Sequence, residues 1–410
     1  MNRVVVTGYG VVSAVGNNVN DFWENVKKGT CGIDEIKSID VSEYDVKLAG
    51  EIKDFDPKYV DRKEKKRLAE FCQYALEASG EAVTMSGIDL EKIDQDEFGV
   101  FIGSGIGGLD VIEENHKKLL EIGPNKVEVL TIPKCISNMA SGYVAIKYGA
   151  KGTAIASVTA CASGTNSIGE AYRSIKHGYH KYILAGGTEN VLTNVGIVGF
   201  SNLKAISKSD DKNRASIPFD KERNGFVMGD GAGVMFLEEM EHAVQRGANI
   251  LGEVVGYGST CDAYHMTSPD PEGIGPMKAM EKAIKEAGIQ KEEVGYVNAH
   301  GTSTPLNDKI ETLAIKKVFG EHAYDLNISS SKSMFGHCLG AAGGIEGILT
   351  LLSLKEGVVT PTINLKVRDD ELDLNYTPEL VEKDIKYALS NSLGFGGHNA
   401  VICLKKWEGK

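Results

Sequence analysis

The chain has 410 residues, a formal net charge of −12, and 42% hydrophobic against 25% charged residues. This composition excludes a disordered chain, and the length predicts two or three domains. Because an acidic surface repels phosphate groups, nucleic acid is disfavoured as a partner. No apolar run reaches the ~18 residues of a membrane span, and the N-terminus has the pattern of a strand, not of a signal peptide.

Short strand patterns alternate with helical patterns, which predicts an α/β fold. The predicted strands span residues 4–7, 98–102, 154–158, 182–185, 234–237, 294–298, 326–329, 387–391 and 400–404. The predicted helices span residues 64–80, 276–287 and 308–319, with two more starting after 164 and at about 343. Residues 200–230 are polar and turn-rich, which predicts a functional loop or lid. Residues 254–258 repeat the pattern of residues 5–10 and hint at an internal duplication.

Seven cysteines are scattered along the chain without any C-x-x-C pair. Their odd number and spacing predict neither a disulfide framework nor a zinc ribbon, and favour a reducing cytoplasm. We therefore predict a cytoplasmic protein without a resident metal. The remaining question is whether one of the cysteines is a nucleophile.

Cys161 lies where an apolar strand turns into a helix that opens with glycine, in residues 159–164 (Thr-Ala-Cys-Ala-Ser-Gly). Such a turn projects a side chain among free backbone N–H groups, and the start of a helix stabilises a thiolate. These features predict a nucleophile with a raised thiolate fraction. The alternative is that Cys161 is a small buried apolar residue, as free cysteines often are.

His300 and His337 each follow a predicted strand in the second half of the chain and have glycine as a neighbour. Ligands of open α/β sheets collect beyond the carboxyl ends of strands, where two neutral imidazoles could hold an oxyanion. Taken singly, each could equally be a loop histidine without a chemical role. The nearby Asp308 and Glu311 have the spacing of a helix capping box, which we prefer to a catalytic reading.

Gly103, Gly105 and Gly108 match the dinucleotide-binding pattern after a strand. No acidic residue is convincingly placed for a ribose, so this pattern supports NAD binding only weakly.

Five basic residues crowd the predicted first turn of the helix at 64–80, where cations oppose the helix dipole. In an acidic protein this indicates a docking patch for an acidic partner, although a solvated face is the usual explanation. The residues are Arg62, Lys63, Lys65, Lys66 and Arg67.

The chain resembles the β-ketoacyl-acyl-carrier-protein synthases, most closely the elongating type II enzymes of bacterial fatty acid synthesis, from Val4 to about Leu404. The matching motifs are residues 159–164, 220–226, 298–304, 332–337 and 394–399. The resemblance implies the α/β thiolase fold, with two pseudo-duplicated halves in a five-layer αβαβα arrangement and a homodimer. The first half would be residues 1–250, with Cys161 and cap and dimer insertions, and the second residues 251–410.

The resemblance also implies a mechanism, the decarboxylative Claisen condensation. Cys161 would attack the acyl thioester, with the backbone N–H groups of Cys161 and Phe395 as the oxyanion hole. His300 and His337 would hold the malonyl thioester oxygen while carbon dioxide leaves, and Lys332 would position them. The supporting residues would be Glu346, Asn298, Asp308 and Glu311.

Further roles follow from the same resemblance. The substrate-binding residues would be Ile106, Phe200, Thr267, Thr302, Thr304 and Phe335, with Phe200 and Phe395 as gate positions. The contacts with acyl carrier protein would be Arg62, Lys63, Lys66, Arg67, Lys126 and Lys204. No organic cofactor is implied, and a structural monovalent cation near Glu346 is compatible with the pattern. Phe335 replaces the usual threonine, which predicts a shifted His337 or a narrower pocket.

Four alternatives differ from this interpretation. A thiolase would need a second cysteine within residues 394–399, and chain-initiating or chalcone-synthase relatives would have asparagine at position 337; neither is present. A polyketide-type ketosynthase shares the Cys-His-His set. A non-catalytic partner resembling chain-length factors would lack the cysteine that this chain has at position 161.

Overall fold

The computed structural model describes residues 1–409. Its strands are β1 (Val4–Val12), β2 (Asp34–Glu35), β3 (Leu48–Ala49), β4 (Phe98–Gly103), β5 (Ala154–Ile155), β6 (Tyr182–Glu189), β7 (Gly231–Glu239), β8 (Gly252–Cys261), β9 (Val294–Asn298), β10 (Asn327–Ser329), β11 (Val358–Val359), β12 (Val381–Glu382), β13 (Tyr387–Gly394) and β14 (His398–Lys405). Its helices are α1 (Val19–Lys27), α2 (Arg62–Arg67), α3 (Glu70–Ser86), α4 (Leu109–Glu121), α5 (Thr131–Cys135), α6 (Met139–Tyr148), α7 (Ser163–Lys176), α8 (Asn194–Asn202), α9 (Lys212–Ala215), α10 (Met240–Gln245), α11 (Ile274–Ala287), α12 (Pro305–Phe319), α13 (Lys332–Phe335) and α14 (Ala342–Glu356). Within this span no helix is both long and apolar enough to cross a membrane.

The main sheet has a symmetric strand order, β10-β9-β13-β14-β8-β1-β7-β6-β4-β5. On either side of the central β8–β1 pair, the first two pairings are antiparallel and the outer two are parallel. Within the sheet, the two half-sheets are joined by the short β1–β8 pairing, where Val4–Val6 lie opposite residues 252–254. This symmetry confirms the predicted duplication.

The repeated glycine pattern has the same packing role in both halves. A Cβ on Gly8 or Gly10 would lie 2.0 or 2.1 Å from a carbonyl oxygen of α3. A Cβ on Gly256 or Gly258 would meet carbonyl oxygens of α11 at 2.1 and 1.9 Å. In each half a helix backbone therefore lies directly on the central strand, which only glycine permits.

The helices complete five layers. α3 packs on the outer face of the first half-sheet, α11 on that of the second, and α7 and α14 lie between the two. Apolar clusters fill both outer interfaces and the central one, where Ile168 of α7 and Ile345 of α14 are fully buried. The predicted αβαβα arrangement is confirmed.

Several element predictions were wrong in their bounds. The helix predicted at 64–80 is two helices, because Leu68 and Ala69 adopt extended backbone angles between α2 and α3. The strand predicted at 154–158 has only two residues, β5. Residues 200–230, predicted as a functional loop or lid, are partly buried, at 215–220 and 225–230.

Candidate active site

Cys161 lies in a short turn before α7, at the meeting of the two halves. The preceding residue, Ala160, has a φ of +51°, an unfavourable angle for a residue with a Cβ. The Ser163 hydroxyl donates to the Ala160 carbonyl at 2.7 Å and accepts from the N–H of Thr159 at 2.9 Å. These bonds hold the strained turn that presents the thiol.

His300 follows β9, and Glu311 of α12 fixes its backbone. The buried Glu311 carboxylate accepts hydrogen bonds from the N–H groups of His300 and Gly301, both at 2.8 Å. Asn391 of β13 donates to the same carboxylate at 3.1 Å. The loop that carries His300 is thus tied to a helix and to a strand.

Glu311 and Asp308 therefore do not form the predicted capping box. α12 begins at Pro305, with Thr304 at its N-cap and no side-chain cap bond. Asp308 accepts from the Phe219 N–H at 2.9 Å and lies 3.8 Å from the Arg223 guanidinium. Both carboxylates bind loop backbone beside the site.

His337 is held by its own backbone against residues 227–229. Its N–H donates to the Val227 carbonyl at 2.6 Å, and its carbonyl accepts from the Gly229 N–H at 3.0 Å. Gly336, just before it, has a φ of +75°, which glycine adopts without strain. The Phe226 ring stands edge-on to the His337 imidazole, with centroids 5.3 Å apart.

Cys161, His300 and His337 converge. The Cys161 sulfur and one nitrogen of each imidazole lie within 4.8 Å of one another, and all three side chains are at most 9% exposed. Burial, followed by the charge of Lys332, lowers the pKa of both histidines well below the ordinary value. Both imidazoles are therefore neutral near neutral pH and can act as hydrogen-bond donors toward a negative oxygen.

The Cys161 thiol differs electrostatically from what the helix start predicted. Burial raises the pKa of Cys161 to about 12, although Lys332 and the backbone N–H of Phe395 lower it. The prediction of a raised thiolate fraction was wrong, because removal from water outweighs the helix start. The resting group is a thiol beside two N–H groups, those of Cys161 and Phe395.

Lys332 and Glu346 form a buried ion pair behind the histidines; each side chain is only 1% exposed. Burial raises the pKa of Glu346 to about 7, and the adjacent Lys332 ammonium opposes that rise. Asn298 donates to the Glu346 carbonyl and to the Thr350 hydroxyl, both at 3.1 Å. These contacts fix α14 relative to the strand that precedes His300.

A cavity of about 370 Å³ leads to the three residues. Its walls include four of the six predicted substrate-binding residues, Phe200, Thr267, Thr302 and Thr304, and also the predicted gate residue Phe395. The rings of Phe200 and Phe395 are 6.3 Å apart. Ile106 does not line this cavity, being 38% exposed on another surface.

Phe335 does not reach the cavity either. Its ring is fully buried beneath α1, with its centroid 6.0 Å from that of Phe22. The prediction that it binds substrate or narrows the pocket was wrong, because α13 points the side chain into the central core.

The glycine-rich loop after β4 is not a dinucleotide site. The Glu189 carboxylate accepts from the N–H groups of Gly105 and Ile106, at 2.7 and 3.2 Å. The donors that would cradle a pyrophosphate therefore already hold an anionic group of the protein.

The basic residues of α2 are exposed, but they do not all lie in a first turn that opposes the helix dipole, as was predicted. α2 ends at Arg67, so Lys65, Lys66 and Arg67 lie in its last turn, where the dipole favours cations. Asp61 and Glu64 do form the predicted capping box. The six predicted docking residues are exposed and make no ion pair within residues 1–409: Arg62, Lys63, Lys66, Arg67, Lys126 and Lys204. Lys204 also lines the cavity.

Three residues near the site were not assigned from the sequence. Leu339 lines the cavity with a φ of +41°, and Asn399 donates to Asp262 at 2.7 Å behind the Phe395 turn. Phe226, beside His337, also lines the cavity. Phe226 and Asn399 belong to the family motifs at residues 220–226 and 394–399, which could have indicated their position near the site. Leu339 belongs to none of the five motifs.

The chain matches two family descriptions. Residues 1–243 match the Beta-ketoacyl synthase, N-terminal domain, and residues 251–366 match the Beta-ketoacyl synthase, C-terminal domain.

Individual proteins resemble the chain over its whole length. It is 51% identical over 408 residues to the 3-oxoacyl-[acyl-carrier-protein] synthase 2 of Staphylococcus aureus, covering 99% of each chain. It is 48% identical over 409 residues to the protein of that name from a Synechocystis species, covering 99% of this chain and 98% of the other. One solved structure is a type II PKS acyl-carrier protein in complex with its ketosynthase bound to the hexaketide. This chain superposes on it with a TM-score of 0.92 at 34% sequence identity, and the match covers 99% of this chain and 100% of that chain. The chain therefore has the thiolase fold and belongs to the β-ketoacyl synthase family.

Proposed function

We propose that this protein is a 3-oxoacyl-[acyl-carrier-protein] synthase that extends acyl chains in fatty acid synthesis by decarboxylative Claisen condensation with malonyl-acyl carrier protein. The observation that carries the proposal is the convergence of the Cys161 sulfur with one nitrogen each of His300 and His337, within 4.8 Å.

In the first half-reaction, Cys161 takes the acyl group. Its sulfur forms a bond to the thioester carbonyl carbon, the bond to the carrier sulfur breaks, and the thiol proton ends on the departing carrier thiol. The N–H groups of Cys161 and Phe395 stabilise the oxyanion, and one such donor typically contributes about 10²–10³ in rate. Thr302 and Thr304, on the cavity wall, would contact the pantetheine arm.

In the second half-reaction, malonyl-acyl carrier protein occupies the emptied cavity. The bond to its carboxylate breaks, carbon dioxide leaves, and the electron pair forms an enolate whose oxygen accepts from His300 and His337. The enolate carbon then attacks the acyl carbonyl carbon on Cys161. The carbon–sulfur bond breaks, and the sulfur takes up one proton from solvent, which balances the negative charge lost with the malonyl carboxylate.

No organic cofactor is needed for this chemistry, because the thiol carries the acyl group and decarboxylation supplies the carbanion. We also propose a structural monovalent cation near Glu346. Three side-chain oxygens of β9, β13 and α14 are buried without a hydrogen-bond partner within residues 1–409: Asn298 Oδ1, Glu346 Oε2 and Ser390 Oγ. Ser390 lies opposite Asn298 in the sheet, and Asn298 donates to the Glu346 carbonyl. Such an oxygen-only set suits a hard cation, and it would hold β9, β13 and α14 together.

We propose acyl carrier protein as the partner, docking on the exposed cations named above. Acyl carrier protein is the partner in the complex of the related ketosynthase. A cytoplasmic location is in line with seven free cysteines.

We further propose a homodimer. β5 is at the edge of the main sheet, and its outer side is unpaired. Exposed apolar side chains are concentrated in the same part of the chain, at Ile112, Leu120, Ile132, Ile146, Ile155 and Val158. Light scattering should give twice the chain mass of 44.1 kDa. Ile155→Asp should shift the protein toward the monomer; a wild-type monomer would contradict the dimer.

The condensation is tested by supplying acyl- and malonyl-acyl carrier proteins. We expect carbon dioxide and a β-ketoacyl product in equal amounts from the wild-type protein, and neither from Cys161→Ala. No release of carbon dioxide by the wild-type protein would refute the proposal.

A polyketide-type ketosynthase is the second candidate, favoured by the TM-score of 0.92 with the hexaketide-bound enzyme. A preference for primers that already carry β-keto groups would support it over fatty acid elongation. A non-catalytic role is disfavoured because Cys161 is present and lines the cavity.

A further inference from the structure

Glu189, at the end of β6, is a buried carboxylate that the proposed chemistry does not use. It is fully buried and makes no ion pair within residues 1–409. Instead, four hydrogen-bond donors surround it. A carboxylate that is retained without a counter-ion in the interior must be stabilised by such donors.

The four donors come from two separate segments. The Ser104 hydroxyl and the Ile106 N–H donate to Oε1 at 2.8 and 3.2 Å. The N–H groups of Gly105 and Gly340 donate to Oε2 at 2.7 and 2.9 Å. Glu189 therefore joins the loop after β4 to the turn that follows His337.

These segments pack without space for side chains. A Cβ on Gly340 would lie 2.4 Å from the Gly105 nitrogen and 2.6 Å from Glu189 Oε2. A Cβ on Gly105 would lie 2.8 Å from the same oxygen and 3.4 Å from the carbonyl oxygen of Ala160. The contact around Glu189 thus also touches the turn that presents Cys161.

The turn held by Glu189 carries Leu339, whose φ of +41° is strained for leucine. Its side chain is 4% exposed, lines the cavity, and belongs to the same apolar cluster as Cys161. The hydrogen bond from the next residue, Gly340, to Glu189 is one of the contacts that maintain this conformation.

We propose that Glu189 is a positioning residue for acyl-chain selection, because it locks residues 104–106 onto the turn after His337. The apolar wall beside Cys161 then has one fixed shape, which limits the length of chain accepted. This inference rests on the proposed condensation, in which the substrate is a fatty acyl chain on Cys161.

Glu189→Gln selectively weakens the contact of this side chain with residues 104–106. The amide group must replace one oxygen. At the Oε1 position it faces the Ser104 hydroxyl, which can rotate and accept, and the Ile106 N–H, which cannot. The bond to the Ile106 N–H is lost and residues 104–106 are held less firmly, while Oε2 still binds Gly105 and Gly340.

The test compares kcat/KM for a long and a short acyl-acyl carrier protein in the wild-type protein and the Gln variant. We expect the long-to-short ratio to rise about tenfold, the lower end of the roughly 10–200-fold that one methylene in a hydrophobic pocket is worth. Decarboxylation of malonyl-acyl carrier protein should change little. Glu238→Gln, another buried carboxylate, far along β7, is the matched control and should lower only the melting temperature.

The proposal would be overturned if kcat/KM fell equally for both primers or did not change, so that the long-to-short ratio stayed the same. A ratio that shifts toward short chains would also overturn it. If Glu189→Gln does not fold, Ser104→Ala removes one of the four donors and should shift the ratio in the same direction by less; no shift would overturn it. If the wild-type protein extends no primer, the condensation itself fails, which is a separate result.

Discussion

The Cys161 thiol is neutral at rest because it is buried, and this determines when it reacts. Its pKa of about 12 keeps the proton on sulfur until a thioester carbonyl arrives. Deprotonation then accompanies attack, and the charge moves to an oxygen facing the N–H groups of Cys161 and Phe395. A buried thiol of this kind is protected against oxidation between turnovers.

The pH dependence of Cys161 alkylation tests this description. Because the thiolate fraction grows tenfold per pH unit below the pKa, alkylation by iodoacetamide should rise without levelling off from about pH 7 to 10. Peptide mass spectrometry separates Cys161 from the exposed Cys261. A plateau near the ordinary thiol pKa of about 8.5 would contradict the burial argument.

The two histidines should affect the half-reactions unequally. His337→Ala removes a donor to the enolate oxygen, so carbon dioxide release from malonyl-acyl carrier protein should fall about 10²–10³-fold. Acyl transfer to Cys161 should fall much less, because its oxyanion is bound by backbone N–H groups. Both rates are measured separately, and equal losses would contradict this division.

At this scale the sequence predicted which three side chains come together, but not the surroundings of the individual side chains. Cys161, His300 and His337 were recognisable because each lies in a short motif at the end of a strand. The direction of the Phe335 ring and the high pKa of Cys161 could not be predicted from the sequence, because both depend on tertiary packing. The same holds for Glu311, whose partners His300 and Gly301 lie ten or eleven residues before it.

At the scale of elements, the crossing of α7 and α14 places Cys161 against the second half of the molecule. A Cβ on Gly164 would lie 2.8 Å from the Gly344 nitrogen and 2.9 Å from the Gly340 carbonyl oxygen. The two helices can approach this closely only because their contact residues are glycines.

Gly164→Ala should therefore reduce the free energy of unfolding by about 1–3 kcal/mol, the usual cost of overpacking. Gly199→Ala in α8 is the matched control, since nothing lies within 4 Å of its Cβ position. The control should stabilise the protein by up to about 1 kcal/mol through helix propensity. Urea denaturation measures both; equal effects would contradict the proposed close contact.

Element types were predictable from periodicity, whereas several bounds were not. The apolar residues of α7 follow the helical spacing, whereas α14 is buried on all sides from Ala342 to Leu354. The break between α2 and α3 at Leu68 has no glycine or proline to announce it. β1 continues through Gly8 and Gly10, which read as a turn until the helix packed on them is known.

At the scale of the whole molecule, the acidic chain carries exposed, unpaired cations on α2 and beside the cavity at Lys204. Attraction of an acidic carrier protein to such a patch would raise the rate of encounter more than the affinity. The attraction is weakened by salt.

Charge reversal at Lys63 and Arg67 should raise the apparent KM for carrier-linked substrates by about two- to fivefold for each residue, the size of an exposed ion pair. Added salt should raise the wild-type KM in the same way. Lys278→Glu, an exposed position on α11, is the control and should have little effect. An unchanged KM in the double variant would remove α2 from the docking surface.

The duplicated architecture was predictable from the resemblance, and weakly from the glycine pattern at residues 5–10 and 254–258. That the strands are arranged symmetrically around β1 and β8 could not be read from the sequence, because strand order depends on long-range pairing. This symmetry brings a thiol from the first half to two imidazoles of the second.

The most direct test of this account is the intact mass of the protein after incubation with acyl-acyl carrier protein alone. We predict a mass increase equal to one acyl group, located on the peptide that contains Cys161, and its loss when malonyl-acyl carrier protein is added. Cys161→Ala should show no increase. An absent adduct in the wild-type protein, or one that persists in Cys161→Ala, would contradict the central claim.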